Sequence, residues 1–201
     1  MVALQEVETI EGDEPDFIHT LRQTHDCQVI PGHTLFRDNA LYGNMILTTL
    51  PVIDSHRVDI TYPGCEPRGA IAALLQAHAK TILVIATHLG LRRRERRFQA
   101  DQLRSRLQCH ELWERAELRI LLGDFNEWHH WGPALRRIRD WFGNAPTRRS
   151  FPSYRPLLAL DRIWIDTPDA MKDIRSLRTA TTRIASDHLP VHATIQLIRR
   201  P

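Results

Sequence analysis

Arg119-Ile120-Leu121-Leu122-Gly123-Asp124-Phe125-Asn126 is an apolar run that stops at a glycine and then presents a carboxylate and an amide two positions apart. Two residues apart on an extended segment, Asp124 and Asn126 face the same side. The run is too short for a helix and reads as a buried strand. The same design recurs along the chain. Thr81 to Thr87, with Ile82, Leu83, Val84 and Ile85 in succession, reads as a strand covered on both faces and ends at His88. Val2-Ala3-Leu4-Gln5 reads as the tail of a strand with Glu6 at its end. Leu160-Asp161-Arg162-Ile163-Trp164 and Ser186-Asp187-His188-Leu189-Pro190-Val191 place further carboxylates and an imidazole beside apolar segments. Polar groups at strand ends are where a rigid scaffold aims side chains at a ligand.

Outward from these runs, a short helix is expected to about Gln23, started by Asp13-Glu14-Pro15. Cys27 to Ile30 reads as a strand ended by Pro31-Gly32. Gly43 to Leu50, Val52 to Tyr62 and Gly69 to Ala77 are expected as adjacent antiparallel strands. Arg93 to Glu114 lacks proline and glycine and carries Ala100, Leu103 and Leu107 at helical spacing, so a helix is expected there. Another is expected from Pro133 to Phe142, closed by Gly143, and strands at Leu160 to Ile165 and Val191 to Ile198. This mixed order, with several consecutive strands, points to an α/β (α+β) architecture of two mixed sheets packed together with helices outside, not to a doubly wound parallel sheet.

A chain of 201 residues with 42% hydrophobic and 25% charged residues excludes disorder and collagen-like repeats and suffices for one domain spanning residues 1–201. The three cysteines Cys27, Cys65 and Cys109 form neither a disulfide framework nor a zinc ribbon, and a reducing cytoplasm fits them best. No apolar run approaches the ~20 residues of a membrane span, so no stable membrane insertion is expected. The net charge is only +3, yet every basic residue except Lys80 and Lys172 is an arginine, whose planar fork of donors suits phosphate. Arg92 to Arg97 reads as a solvated charged face or a basic rim, and Trp128-His129-His130-Trp131 as the packing of a surface loop, ahead of the alternative that its aromatic rings flank a bound ligand.

Taken together and in order, Leu4-Gln5-Glu6, Tyr42-Gly43-Asn44, Pro67-Arg68-Gly69, Thr87-His88-Leu89, Gly123 to Asn126, Leu160 to Trp164 and Ser186 to Val191 resemble the endonuclease/exonuclease/phosphatase superfamily, the deoxyribonuclease I and exonuclease III-like group. The resemblance implies a four-layer α/β/β/α sandwich and divalent-metal-dependent hydrolysis of phosphoric esters. It implies magnesium, with manganese as a substitute, and a substrate that is a nucleic acid or a phospholipid or inositol-type head group. By the same resemblance Glu6 holds the metal, with Asp187 as a second carboxylate. Asp124 positions or deprotonates the attacking water, Asn126 donates to a phosphate oxygen, and Asp161 fixes and charges His188. Arg68 and Asn44 contact the substrate phosphate, and His88 matches a histidine of the deoxyribonuclease I and phosphatase branches more than of the repair nucleases. These residue types fit the chemistry, which needs a hard cation, an activated water and donors for the charge that builds on oxygen.

One departure stands out. The resemblance places a strand bearing an asparagine, and a helix, some thirty or more residues ahead of the Leu-Gln-Glu motif, whereas Glu6 is the sixth residue here. The fold is therefore expected to be N-terminally incomplete. A catalytically impaired remnant or phosphate-ligand binding module is the alternative to an active hydrolase.

Overall fold

The computed structural model describes residues 1–10, 16–37 and 39–197. Along them run β1 (Val2–Ile10), α1 (Asp16–His25), β2 (Gln28–Arg37), β3 (Ala40–Thr48), β4 (Val52–Asp59), β5 (Gly69–Ala77), β6 (Lys80–His88), α2 (Arg93–Gln108), α3 (Glu111–Arg115), β7 (Leu118–Asp124), α4 (Pro133–Phe142), β8 (Asp161–Ile165), β9 (Met171–Ser176), α5 (Thr182–Ala185) and β10 (Val191–Ile195).

The two apolar runs lie side by side at the centre. β6 and β7 pair in parallel with His88 opposite Asp124, inside a five-stranded sheet of order β4-β5-β6-β7-β8 whose other pairings are antiparallel. Side chains alternate across a strand, and here both faces are covered. Ala72, Leu74, Leu83, Ile85, Leu121 and Trp164 face α2, α3 and α4. Ile71, Ala73, Val84, Ile120, Ile163 and Ile165 face two smaller antiparallel sheets. One is β1-β3-β2 and the other β10-β9. On the far side of the three-stranded sheet, Ile18 and Leu21 of α1 pack on Val7, Met45 and Leu47. Helices, sheet, sheet layer and helix make four layers, as the sequence implies, with the second sheet layer in two pieces.

Several boundaries differ from expectation. β2 runs through Pro31-Gly32, because it is the edge of its sheet and a proline there forfeits no interior ladder bond. β3 and β4 are not neighbours: at Pro51 the chain crosses from one sheet to the other. The long helix breaks after Gln108, where the His110 ring accepts from the Leu112 amide and starts α3. β1 does not end at Glu6 but continues through a bulge between Leu4 and Val7, with Glu6 at φ 58°. β9 and α5 lie in segments where no element is expected. The cap expected at Asp13-Glu14-Pro15, and Ile198, lie outside the described residues. Among the described residues no helix is long and apolar enough to cross a membrane.

Candidate active site

The parallel register of β6 and β7 brings His88 and Asp124 to one end of the central sheet, and the antiparallel pairing of β8 puts Asp161 opposite Asp124. Gly123 makes the approach feasible: it sits at φ 139°, and a Cβ there would collide with the Thr87 carbonyl. The chain then turns tightly, with the Asp124 carboxylate accepting the Asn126 amide N–H at 2.8 Å.

Asp124 joins two histidines. Its Oδ2 is 3.6 Å from His88 Nε2 and 4.0 Å from His188 Nε2. His188 is oriented from behind by Asp161, whose Oδ2 is 2.8 Å from Nδ1. Phe151 packs against the same ring, with centroids 4.8 Å apart. Burial alone would lower the His188 pKa, but the hydrogen bond to Asp161 and the charges of Asp161, Asp124 and Asp187 lift it to about 9. His188 is thus a cation at neutral pH. Burial, and then the nearby Asp161 charge, raise Asp124 to about 6.

His88 is the opposite case. Burial, then the charges of Arg68 and His188, lower its pKa to about 3, so its short distance to Asp124 is not an ion pair. Arg68 Nη1 lies 3.1 Å from Nδ1 and the Asn126 amide nitrogen 3.0 Å from Nε2. A neutral imidazole has one lone pair, so it accepts from one of these donors and turns its N–H away from the other. The Nε2–H tautomer faces Asp124; the Nδ1–H tautomer faces Glu6, whose Oε1 is 4.0 Å from Nδ1. Asn126 also donates to the Leu89 carbonyl at 2.8 Å, so a bond from it to phosphate would replace its contact with His88.

Glu6 reaches the site from the bulge of β1. With Tyr42, Asn44, Arg68 and His88 it lines a cavity of about 10 Å³, room for about one water. The Tyr42 hydroxyl bonds the Glu6 carboxylate, and burial together with that charge raises Tyr42 to about 12. Asn44 donates to the Gly69 carbonyl at 3.0 Å, which leaves its own carbonyl oxygen uncommitted by that bond. Arg68 is buried, pairs with Glu66 at 3.1 Å and leaves its Nε without a partner. Glu6, Asn44, Arg68, His88, Asp124, Asn126, Asp161 and His188 therefore form one connected group. Asp187 stands at its rim, exposed, with its carboxylate 3.4 Å from the Ser186 hydroxyl and its carbonyl accepting the Ser153 amide at 2.7 Å.

Ligand atoms of Asp124, Asp161 and His188 lie within 4.8 Å of one another. A protonated His188 donates and does not ligate, so the oxygen donors are what a cation would meet here. The oxygens of Asp124 and Asp161 are donors of the kind that suits a hard divalent cation that retains waters.

Tyr42 sits in a quoted motif yet was not a candidate for the site. The pair of Arg96 and Glu127 was hidden as well. Both are buried, 3.2 Å apart, and Arg96 also bonds the Leu91 carbonyl, so the start of α2 is tied to the loop after Asn126. Only part of the Arg92–Arg97 run is a solvated face. Trp128 and Trp131 are both exposed, Trp131 stacking on His129 of the same loop with ring centroids 5.3 Å apart.

The same architecture occurs in solved structures. An endonuclease/exonuclease/phosphatase family protein from Leptotrichia buccalis superposes with a TM-score of 0.73 at 15% identity, over 97% of this chain and 86% of that one. A Bacteroides thetaiotaomicron mannosyl-6-phosphatase superposes with a TM-score of 0.68 at 14% identity, over 90% and 82%. This is the endonuclease/exonuclease/phosphatase fold. Among curated proteins, the uncharacterized protein YbhP of Escherichia coli K12 is 29% identical over 215 aligned positions, covering 98% of this chain and 83% of YbhP. No family model matches the chain.

Proposed function

We propose that this chain, residues 1–201 acting as one domain of the endonuclease/exonuclease/phosphatase superfamily, is a divalent-metal-dependent hydrolase of phosphoric esters, in the first place a phosphodiesterase. The observation that carries this reading is Asp124 standing between a neutral His88 and a charged His188, with Asp161 behind the latter. A buried carboxylate beside a charged imidazole is a base and an acid on one phosphoryl-sized site.

In this reading Asp124 takes a proton from water as the water oxygen bonds to phosphorus. The bond from phosphorus to the leaving oxygen breaks, and His188, held by Asp161, protonates that oxygen or binds the charge on the phosphoryl group. Arg68 and Asn44 bind and orient the phosphate, Asn126 donates to a phosphate oxygen, and His88 accepts from Arg68 at Nδ1. Glu6 would hold the magnesium or manganese ion, with Asp187 as a second carboxylate. When bound, the ion supplies Lewis-acid stabilisation of charge on the phosphoryl oxygens.

The test is release of nitrophenol from bis(p-nitrophenyl) phosphate with magnesium and with manganese. The wild type should turn over, lose turnover on chelation, and lose roughly 10²–10⁴-fold in kcat in Asp124→Ala and in His188→Ala. Full activity in both variants would refute these roles. Binding of a phosphorylated ligand with no turnover under either metal would identify a binding module instead.

A further inference from the structure

Ten large apolar side chains are exposed among the described residues, and six of them lie in four connections around the candidate site: Leu91, Trp128, Trp131, Tyr154 and Leu157 in loops, and Ile184 in the short helix α5 before β10. The topology makes this one surface region. The loops after β6 and β7 and before β8 leave the same end of the central sheet, because His88, Asp124 and Asp161 are in register there. The loop before β10 joins them through His188 and Asp161 at 2.8 Å. Hydrogen bonds tie the loops in pairs. Arg96 links the Leu91 carbonyl to Glu127, next to Trp128. Ser153, next to Tyr154, donates to the carbonyl of Arg183, next to Ile184. Exposure runs from 56% for Leu157 to 87% for Ile184, so these side chains are not the half-covered edge of a core.

The exposed charges on these loops are mostly positive. Arg92, Arg93, Arg94, Arg155, Arg178 and Arg183 are exposed there or on their flanks, against the exposed acids Asp187 on the loop before β10 and Glu6 and Glu66 at the site itself. A surface that mixes large apolar groups with arginines complements an interface that is itself apolar beneath an anionic layer.

We propose that this rim docks the protein on an anionic lipid surface, so that the site meets a phosphate ester presented in the plane of the head groups. The naming of that substrate rests on the hydrolase reading above; the docking does not. Three of the six side chains, Leu91, Leu157 and Ile184, are aliphatic. They gain by leaving water for acyl chains and have no ring to stack on a nucleobase, while Trp128, Trp131 and Tyr154 are of the types that concentrate at bilayer interfaces.

The experiment is sedimentation of the full chain with phosphatidylcholine vesicles, with and without phosphatidylglycerol, followed also by tryptophan emission. Binding should require phosphatidylglycerol, weaken with salt and shift emission to the blue. Leu91→Ser, Trp131→Ser and Ile184→Ser should each weaken it by roughly ten- to a hundredfold, the range for withdrawing one large side chain from an apolar phase. Circular dichroism melts unchanged from wild type show that these variants fold. Absence of binding at low salt overturns the proposal, as does binding indifferent to the three substitutions. Loss of affinity for a single-stranded oligonucleotide in the variants, with vesicle binding intact or absent, would assign the rim to nucleic acid and also overturn it. Turnover of the soluble diester reports on the catalytic reading separately, since neither result depends on the other.

Discussion

At the scale of single residues, the site is a set of titrating groups whose environments push them apart. In the proposed reaction Asp124 must be ionised to accept a proton and His188 must be protonated to donate one. With Asp124 raised to about 6 and His188 to about 9, kcat for a soluble diester should rise through about pH 6 and fall through about pH 9. Asp161→Asn removes the charge behind His188 and an anionic neighbour of Asp124, so both limbs should move to lower pH, the falling limb from about 9 toward neutrality and the rising limb to below about 6. A pH–rate profile of both proteins checks the two shifts.

His88 yields a second prediction, on stability. The unfolded chain takes up a proton on this histidine near its ordinary 6.5, while folded His88 stays neutral down to about 3. Between those values the unfolded state binds more protons, so stability falls as pH drops across that window. Melting temperatures of wild type and His88→Asn from pH 7 to about pH 4 should diverge less for the variant, which has no such group to charge. The identities of these residues were readable from the chain because each sits at the end of an apolar run. The charge on His188 was expected from its pairing with Asp161, whereas the neutral state of His88 and the raised Asp124 were not legible, since they depend on burial and on neighbours distant in sequence, Arg68 for His88 and Asp161 for Asp124.

At the scale of elements, the loops of the site are held by buried polar ties. Arg96 and Glu127 are both nearly inaccessible, and a Cβ on Gly132 would strike the Glu127 side chain. Removing one partner leaves an uncompensated buried charge, so Glu127→Ala should cost about 3–5 kcal/mol, whereas Glu127→Gln, which keeps an acceptor for Arg96, should cost less. Urea unfolding of the two variants measures the difference. For comparison, Leu103→Ala in α2 empties a fully buried position and should cost about 2–5 kcal/mol. The elements with strong apolar runs, β5, β6, β7 and α4, were legible to within a residue or two. Those that escaped follow from tertiary placement. Pro31-Gly32 stops a strand only where the ladder needs the missing N–H, and an edge does not. β9, Met-Lys-Asp-Ile-Arg-Ser, offers one buried side chain, Ile174, and so carries no alternation to read. The bulge that turns Glu6 into the site is set by register against β3, information that β1 alone does not contain.

At the scale of the molecule, the four layers follow from which strands are apolar on both faces and which on one. The central sheet is a continuous ladder of five strands, and it carries His88, Asp124 and Asp161 on its interior strands or beside them. His188 arrives differently, on the approach to a two-strand ribbon that lies outside that ladder, packs in the same core cluster as Ile163 and Ile165, and is tied to the loop before β8 by the backbone bonds of Leu189 to Ser150 and of Ser153 to Asp187. Such a ribbon is the part with least cooperative support. On the proposed reading, turnover should therefore fall away under rising denaturant before the molecule melts: the ribbon peels off, His188 parts from Asp124, and the five-stranded slab behind them keeps its amide protons from exchange for longer.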